Sequence, residues 1–453
     1  MARIPMSDVI VLLPGILGSA LVKNGKELWG LSAGAGVRAL VSLGGSIDDL
    51  QLRDEPEKDV DVWEDVTATS LLPDVHMIPK FWKIDGYGKI AGYIQRVFEV
   101  KAGENYFEFP YDWRLSNRIA ALRLARLAKG WVDKWRDSGH PNARLILIGH
   151  SMGGLVARYF LEVLGGWEIT RKLLTFGTPF RGSLKALDFI ANGWRKTVLG
   201  FEVLNLTDLL RSFPSVYELL PTYKCCVVGA DTRYLTDANI PQLDPKRLKS
   251  ASDFHSKIRT AVEARGNKFD ANVHPVVGTL QPTLQSARFE NGVVEVFNHF
   301  NGEDMGGDGT VPRVSATPIE LSEAGRDVFS VARHASLQNN DAVLTQLHGI
   351  LETGQIPLAE FRGAPIRLSV QLDDVYSLNE PVRLRARADV PETPPLSVLL
   401  TRIEDESKQT LKMKPAPDGW HELEPLPQPA GTYRATVYGN VNVEPVTDVF
   451  MVV

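Results

Sequence analysis

In Arg144-Leu-Ile-Leu-Ile148-Gly149-His-Ser151-Met-Gly153-Gly-Leu-Val-Ala-Arg158, an apolar run of strand length passes through two glycines around a serine into a run without a helix breaker that lasts to Leu164. Strand, tight turn and helix are predicted in that order, and the helix stops at Gly165-Gly166. A turn this sharp needs glycine two positions either side of the serine, because side chains there would collide with neighbouring backbone.

Working outward, Asn105 to Phe109 reads as a strand. Asn117 reads as the cap of a helix whose apolar positions Ile119, Leu122, Leu127, Trp131 and Trp135 recur at near-helical spacing. This makes a strand-helix-strand crossover, and the same alternation runs from residue 8 to about 355. The expected fold is α/β, a parallel sheet with helices on both faces. Two segments break the rhythm, about 31–80 and about 180–270. Both read as insertions over the carboxyl ends of the strands, a lid and a helical cap. After Gly363 the pattern changes to about seven short period-two runs such as Val382-Arg-Leu-Arg-Ala-Arg-Ala388. An all-β, immunoglobulin-like sandwich is expected over 364–453, following a first domain at 1–363, and Gly431-Thr-Tyr433 resembles a tyrosine-corner entry to a late strand.

Composition narrows the class. With 44% hydrophobic and 23% charged residues the chain is an ordinary globular protein, and its net charge of -5 gives no basic field for nucleic acid. The only cysteines, Cys225 and Cys226, are adjacent, a poor geometry for a structural disulfide and half of what a cysteine metal site needs. No cofactor or metal site is expected. Val9 to Leu13 is shorter than a signal-peptide core, and no run reaches the ~18 apolar residues of a membrane span, so a soluble, cytoplasmic protein is expected, peripheral at membranes at most.

A serine hydroxyl becomes a nucleophile when a base removes its proton and an acid orients that base. Ser151 is the candidate nucleophile. Of the histidines after it, His334 lies in the loop beyond a strand end at Phe329 to Ala332, whereas His348 falls inside a predicted helix; His150, just before the serine, is expected to point away from its hydroxyl. Asp308, in Gly306-Gly-Asp-Gly-Thr-Val-Pro312, is the candidate acid because flanking glycines let its loop approach other backbone, with Asp304 as competitor. The order Ser151, Asp308, His334 is that of α/β-hydrolases. Met152 supplies one oxyanion amide by position, and Ile16, in Pro14-Gly-Ile-Leu-Gly18, is the second, with Leu17 next.

Leu13-Pro-Gly-Ile-Leu-Gly-Ser19, Leu28-Trp-Gly30, Pro110-Tyr-Asp-Trp-Arg114, Gly149-His-Ser-Met-Gly-Gly-Leu-Val-Ala-Arg158, Phe176-Gly-Thr-Pro179, Gly307-Asp-Gly-Thr-Val311 and His334 together resemble the lecithin:cholesterol acyltransferase family. The resemblance runs from about residue 9 to 350. It implies an α/β-hydrolase fold, Ser151 as nucleophile, Asp308 as acid, His334 as base, and Ile16 and Met152 as oxyanion donors. It departs from the secreted members, which carry a signal peptide and a disulfide-closed lid, and the C-terminal sandwich lies outside its pattern. Asp112 and Arg114 read as an ion pair or hydrogen-bonded turn.

The expected activity is hydrolysis of a lipid or phospholipid ester through an acyl-serine. The same residues serve acyl transfer to an alcohol acceptor, and the sequence does not separate the two. A non-enzymatic binding module on the same fold is the third reading. Phe189-Ile190, Trp194, Val198-Leu199, Phe201 and Leu204 form either an apolar rim for transient membrane-surface contact or the core of the cap. The sandwich is either a stabilising module or the seat of a protein partner.

Overall fold

The computed structural model describes residues 3–30, 47–53, 56, 62–78, 82–193, 195–198, 201–322, 328–353, 366–439 and 443–453. Six strands form its central sheet: β1 (Val9–Leu13), β2 (Tyr106–Glu108), β3 (Leu145–His150), β4 (Thr170–Phe176), β5 (Val273–Gly278) and β6 (Val328–Ser330). They lie in the order β6-β5-β4-β3-β1-β2, every pairing parallel. The fold is α/β.

A parallel sheet covered on both faces needs strands apolar on both sides. In β1, Val9, Val11 and Leu13 enter one core while Ile10 and Leu12 enter the other; in β3, Leu145 and Leu147 oppose Ile146 and Ile148. Each such side chain contributes roughly 1.5–3 kcal/mol on full burial. The two central strands are therefore a stiff mount for whatever turn follows them.

Helix α1 (Asn117–Asp137) crosses from β2 to β3, and α2 (Met152–Glu162) leaves β3. Ser116, one residue before the expected cap, is the N-cap of α1: its Oγ accepts from the Arg118 amide at 3.3 Å. Asn117 is instead buried, and its own amide donates to the Glu218 carboxylate at 2.7 Å.

The stretch expected as a lid lies partly outside the described residues. Within it, Val66–Leu71 pairs antiparallel with Ser19–Lys23, and His76–Ile78 pairs with Trp82–Ile84. The stretch expected as a cap carries helices Leu184–Asn192 and Pro245–Arg265. Phe189 and Ile190 are buried in the main core, which for these two residues favours core over rim. Trp194 and Leu199 fall outside the described residues, as do the side chains of Val198, Phe201 and Leu204.

Beyond residue 366 every described element is a strand. These are β7 (Leu368–Leu372), β8 (Val375–Tyr376), β9 (Leu384–Ala388), β10 (Ser397–Arg402), β11 (Lys408–Pro415), β12 (His421–Leu423), β13 (Gly431–Tyr438) and β14 (Val446–Val452), with a short Pro381–Val382/Leu426–Pro427 pair beside them. Their hydrogen-bonded order is β7-β9-β12-β11-β10-β13-β14-β8. Val382, Leu384, Ala386 and Ala388 are buried while Arg383 and Arg387 are exposed, the alternation of a strand with one solvated face. The Tyr433 hydroxyl donates to the Pro429 carbonyl at 2.8 Å. Among the described residues, no helix is long and apolar enough to cross a membrane.

Candidate active site

Ser151 is mounted between β3 and α2 with φ 53 and ψ -124, a backbone conformation that strains any residue with a Cβ. Such strain costs on the order of 1–3 kcal/mol and persists where surrounding structure over-determines it. Here the Ser151 amide donates to the Phe176 carbonyl of β4 at 2.8 Å. The flanking glycines are required by contact. A Cβ on Gly149 would lie 2.8 Å from Gly154 Cα, and one on Gly153 would lie 2.4 Å from the Pro14 carbonyl oxygen.

Asp308 arrives between β5 and β6, on the loop that follows the hairpin Ser286–Glu290/Val293–Phe297, and His334 on the loop after β6. His334 Nε2 stands 2.9 Å from Ser151 Oγ, and its Nδ1 stands 2.7 Å from Asp308 Oδ2. A carboxylate only accepts, so Nδ1 carries the proton and Nε2 is left to accept from the serine hydroxyl. The other oxygen, Oδ1, accepts from the amides of Thr310 at 2.9 Å and Val311 at 2.7 Å. The His334 amide donates to the Asp308 carbonyl at 2.9 Å, tying the two loops together. All three side chains are buried.

Asp304, the competing acid, is exposed, and its Oδ1 accepts from Gln285 Nε2 at 2.6 Å and the Gly306 amide at 2.8 Å. It shapes the acid loop from outside. His348 lies on the helix Asp341–Thr353 and pairs with Glu352 at 3.2 Å. His255 Nε2 donates to the Glu218 carbonyl, 2.7 Å away, and burial pushes it down to about 4. Asp112 and Arg114 form a bidentate pair, with Arg114 Nη1 donating to the Leu50 carbonyl.

The strand order reverses between β1 and β3, so their carboxyl ends open onto one crevice. Leu13 is in register with Gly149, which sets the loop Pro14–Gly18 level with Ser151. In that loop the Gly15 amide donates to the Tyr87 hydroxyl at 2.6 Å and the Gly18 amide to the Gly15 carbonyl at 3.1 Å. Among the described residues, neither the Ile16 amide nor the Met152 amide has an acceptor within the protein. Two amides without partners on either side of a buried serine suit a developing oxyanion.

Three features of this site have no local sequence signal. The Tyr87 oxygen that accepts from Gly15 stands 2.9 Å from His150 Nδ1, and His150 Nε2 stands 3.1 Å from the His334 carbonyl. Since a carbonyl only accepts, Nε2 donates and Nδ1 accepts from Tyr87. Burial, then the neighbouring His334, push His150 down to about 3, so it stays neutral. The Pro14–Gly18 loop is thereby linked to the histidine loop through two side chains. Trp82 presents its ring edge-on to His334, centroids 5.4 Å apart. Gly177, with φ +57, passes so close to the pair that a Cβ would lie 2.7 Å from Asp308 Oδ2. Only its place in Phe176-Gly-Thr-Pro179 could have drawn attention to it. No group of three or more His, Cys, Asp or Glu side chains among the described residues is arranged to hold a metal ion.

A serine on a strand-to-helix elbow, with an imidazole and a buried carboxylate from loops beyond later strands of the same parallel sheet, defines the α/β-hydrolase class. Residues 82–267 match the model of the lecithin:cholesterol acyltransferase family, and the chain is related to that family. It is similar to lecithin-cholesterol acyltransferase-like 4 of Arabidopsis thaliana, 30% identical over 134 residues, covering 27% of this chain and 23% of that protein. Phospholipase A(1) LCAT3 of the same plant is 33% identical over 135 residues, 27% and 29% of the two chains. The human lysosomal phospholipase A and acyltransferase is 28% identical over 122 residues, 26% and 29% of the two chains. The chain thus spans less than a third of the length of these relatives. The family match contains Ser151 and Met152 but stops short of Asp308 and His334.

Proposed function

We propose that the protein is a serine acyl-ester hydrolase acting on lipid esters, of lipase or phospholipase A type. The observation that carries it is the continuous Ser151–His334–Asp308 hydrogen-bonded chain at 2.9 Å and 2.7 Å. In this reading Ser151 Oγ attacks the acyl carbonyl as His334 Nε2 takes its proton. The Ile16 and Met152 amides hold the oxyanion. His334 then gives the proton to the departing alcohol, leaving the acyl group on Ser151, and takes a proton from the water that releases the acid. Asp308 keeps the imidazole in the required tautomer and stabilises its charged form. The lipid substrate is supported by relatives named as phospholipases and acyltransferases.

Ser151→Ala tests the assignment. Hydrolysis of a p-nitrophenyl acyl ester should fall by at least about 10⁴-fold, and full activity in that variant would remove Ser151 from the mechanism. A second reading, transfer of the acyl group to an alcohol, uses the same residues and is supported by relatives named as acyltransferases. Product analysis with and without a long-chain alcohol separates the two. A complete hydrogen-bonded triad gives no support to a non-catalytic binding module.

The same proposal includes a division at 363/364 into a hydrolase domain and an immunoglobulin-like domain, supported by a core of the C-terminal strands whose one buried member from before 363 is Val331, and by the Tyr433 contact with Pro429. It includes a lid at about 31–80, a cap at about 180–270, and residence in the cytoplasm, supported by two free buried thiols.

A further inference from the structure

His334 sits in a short segment whose neighbours on both sides are fastened to the C-terminal strands. Val331 belongs to their core, with Leu368, Val370 and Leu384. Ala335 packs with Val449 and Met451 of β14. Between them, Arg333 turns its guanidinium toward the same unit: Nε is 3.0 Å from Asp448 Oδ2, and Nη1 donates to the Val370 carbonyl at 2.8 Å. That guanidinium also lies over the acid loop, since a Cβ on Gly309, the residue after Asp308, would meet Arg333 Cζ at 3.0 Å. One side chain touches the acid loop, precedes the base in the chain, and ends on the C-terminal unit.

Gln281, which is 1% exposed, makes the same three-way connection independently. Its side-chain amide donates to the Val331 carbonyl at 2.7 Å and the Leu368 carbonyl at 2.9 Å, its Oε1 accepts from the Val370 amide at 3.1 Å, and its backbone amide donates to the Gly307 carbonyl at 3.0 Å. A third fastening passes beside Trp82. Lys83 reaches Asp374 and Asp448, both at 2.8 Å, and donates to the Val449 carbonyl at 3.0 Å. Asp374 and Asp448 therefore face Lys83, Arg333 and, at 3.9 Å from Asp374, Lys185. Burial favours the neutral Asp374, but the lysines on either side outweigh it and hold its carboxyl well below the usual range. Substituting one partner of so buried a cluster would leave the others charged and without solvent, which makes each of these contacts costly to break singly.

We infer that the C-terminal β unit supports the catalytic site directly, with Arg333 and Gln281 as positioning residues that hold the Asp308 and His334 loops in register. The inference rests on the catalytic reading of the triad given above. The acid loop carries glycines at 306, 307 and 309, which restrict its backbone less than other residues would. Acid and base come from two different loops, and a displacement of about 1 Å between them is enough to cost about 100-fold in rate. The fastenings to Asp448, Leu368 and Val370 remove that freedom. The unit is therefore neither a spacer nor only a recruiting module.

The test uses the full chain with Arg333→Met, Arg333→Lys and Ser151→Ala, each assayed on a p-nitrophenyl ester for kcat and KM. Active sites are counted by labelling with a fluorophosphonate, and folding is followed by thermal melting. Arg333→Met should lose about 100-fold in kcat per labelled site with KM within about twofold, and Arg333→Lys, which keeps the charge but not the fork, about tenfold. Turnover per labelled site equal to wild type, with loss only in the number of sites, would reduce Arg333 to a structural role and overturn the inference. Should Arg333→Met fail to fold, turnover per site in Arg333→Lys decides by the same criterion. Activity surviving in Ser151→Ala would instead overturn the triad itself, whatever Arg333 does.

Discussion

Trp82 stands edge-on to His334, with ring centroids 5.4 Å apart and planes at 85°. An edge-to-face contact of this kind contributes about 0.5–1.5 kcal/mol beyond the area it buries, and it limits the tilt of the imidazole about the line joining Asp308 to Ser151. Trp82→Leu should lower kcat about tenfold or more while leaving KM within about twofold. Steady-state kinetics on a soluble ester reads this, and an unchanged kcat in the folded variant would show that the imidazole is held without the indole.

Gly177→Ala should be more damaging than its size suggests. At φ +57 the new Cβ costs about 1–2 kcal/mol in backbone strain, and it would press on Asp308 Oδ2 and His334 Nδ1 from 2.7 and 2.9 Å. We expect at least about a 100-fold loss of kcat. Gly165→Ala is the matched control, since Gly165 has φ +71 with nothing within 4 Å of its Cβ position. It should lose stability and keep its turnover; equal turnover in both variants would count against the contact.

Tyr87→Phe removes the oxygen that links Gly15 to His150. It leaves a buried amide and a buried ring nitrogen without that partner, at a cost of about 1–3 kcal/mol each when nothing replaces it. Denaturant unfolding should show a loss of that order, with a fall in kcat because the Pro14–Gly18 loop and the histidine loop lose their link. Wild-type stability and turnover together would mean that the relay is incidental.

Glu218 gives a pH dependence whose sign follows from its burial. Desolvation raises its carboxyl from 4.5 to about 7, against the opposing hydrogen bonds from Ser116 and the Asn117 amide. The native state therefore keeps a proton that the unfolded chain releases near the ordinary value. Its stabilising effect is full below about pH 4.5 and is lost as pH rises through about 7, on the order of 3 kcal/mol over that window. Glu218→Gln should flatten this part of the stability profile and be the more stable form at pH 8. A profile falling equally steeply in both proteins would assign the slope to another group.

Much of this arrangement can be read along the chain. The alternation of Val9 to Leu13 and of Leu145 to Ile148 marks central strands, and Gly149-x-Ser151-x-Gly153 between strand and helix marks the elbow. Glycines around Asp308 and a strand end before His334 mark two loops. Other features leave no such trace. Ser116 rather than Asn117 caps α1, and the Asn117 amide meets a carboxylate 101 residues away. Tyr87 and Trp82 are aromatic residues among many until the β1 and β6 loops fold against them. Phe189 and Ile190 have the composition of a rim or of a core equally, and packing made them core.

By itself the sequence determined what depends on neighbours a few residues apart: the strands, the helices, the strained turn, and which residue types stand at strand ends. Only the tertiary structure decided which of those residues meet. It set His334 2.9 Å from a serine 183 positions earlier. It also put Arg333 between the acid loop and an aspartate near the C-terminus. The physical reason is that pattern and propensity are local, whereas a hydrogen bond between distant loops exists only after the sheet has fixed the places from which they start.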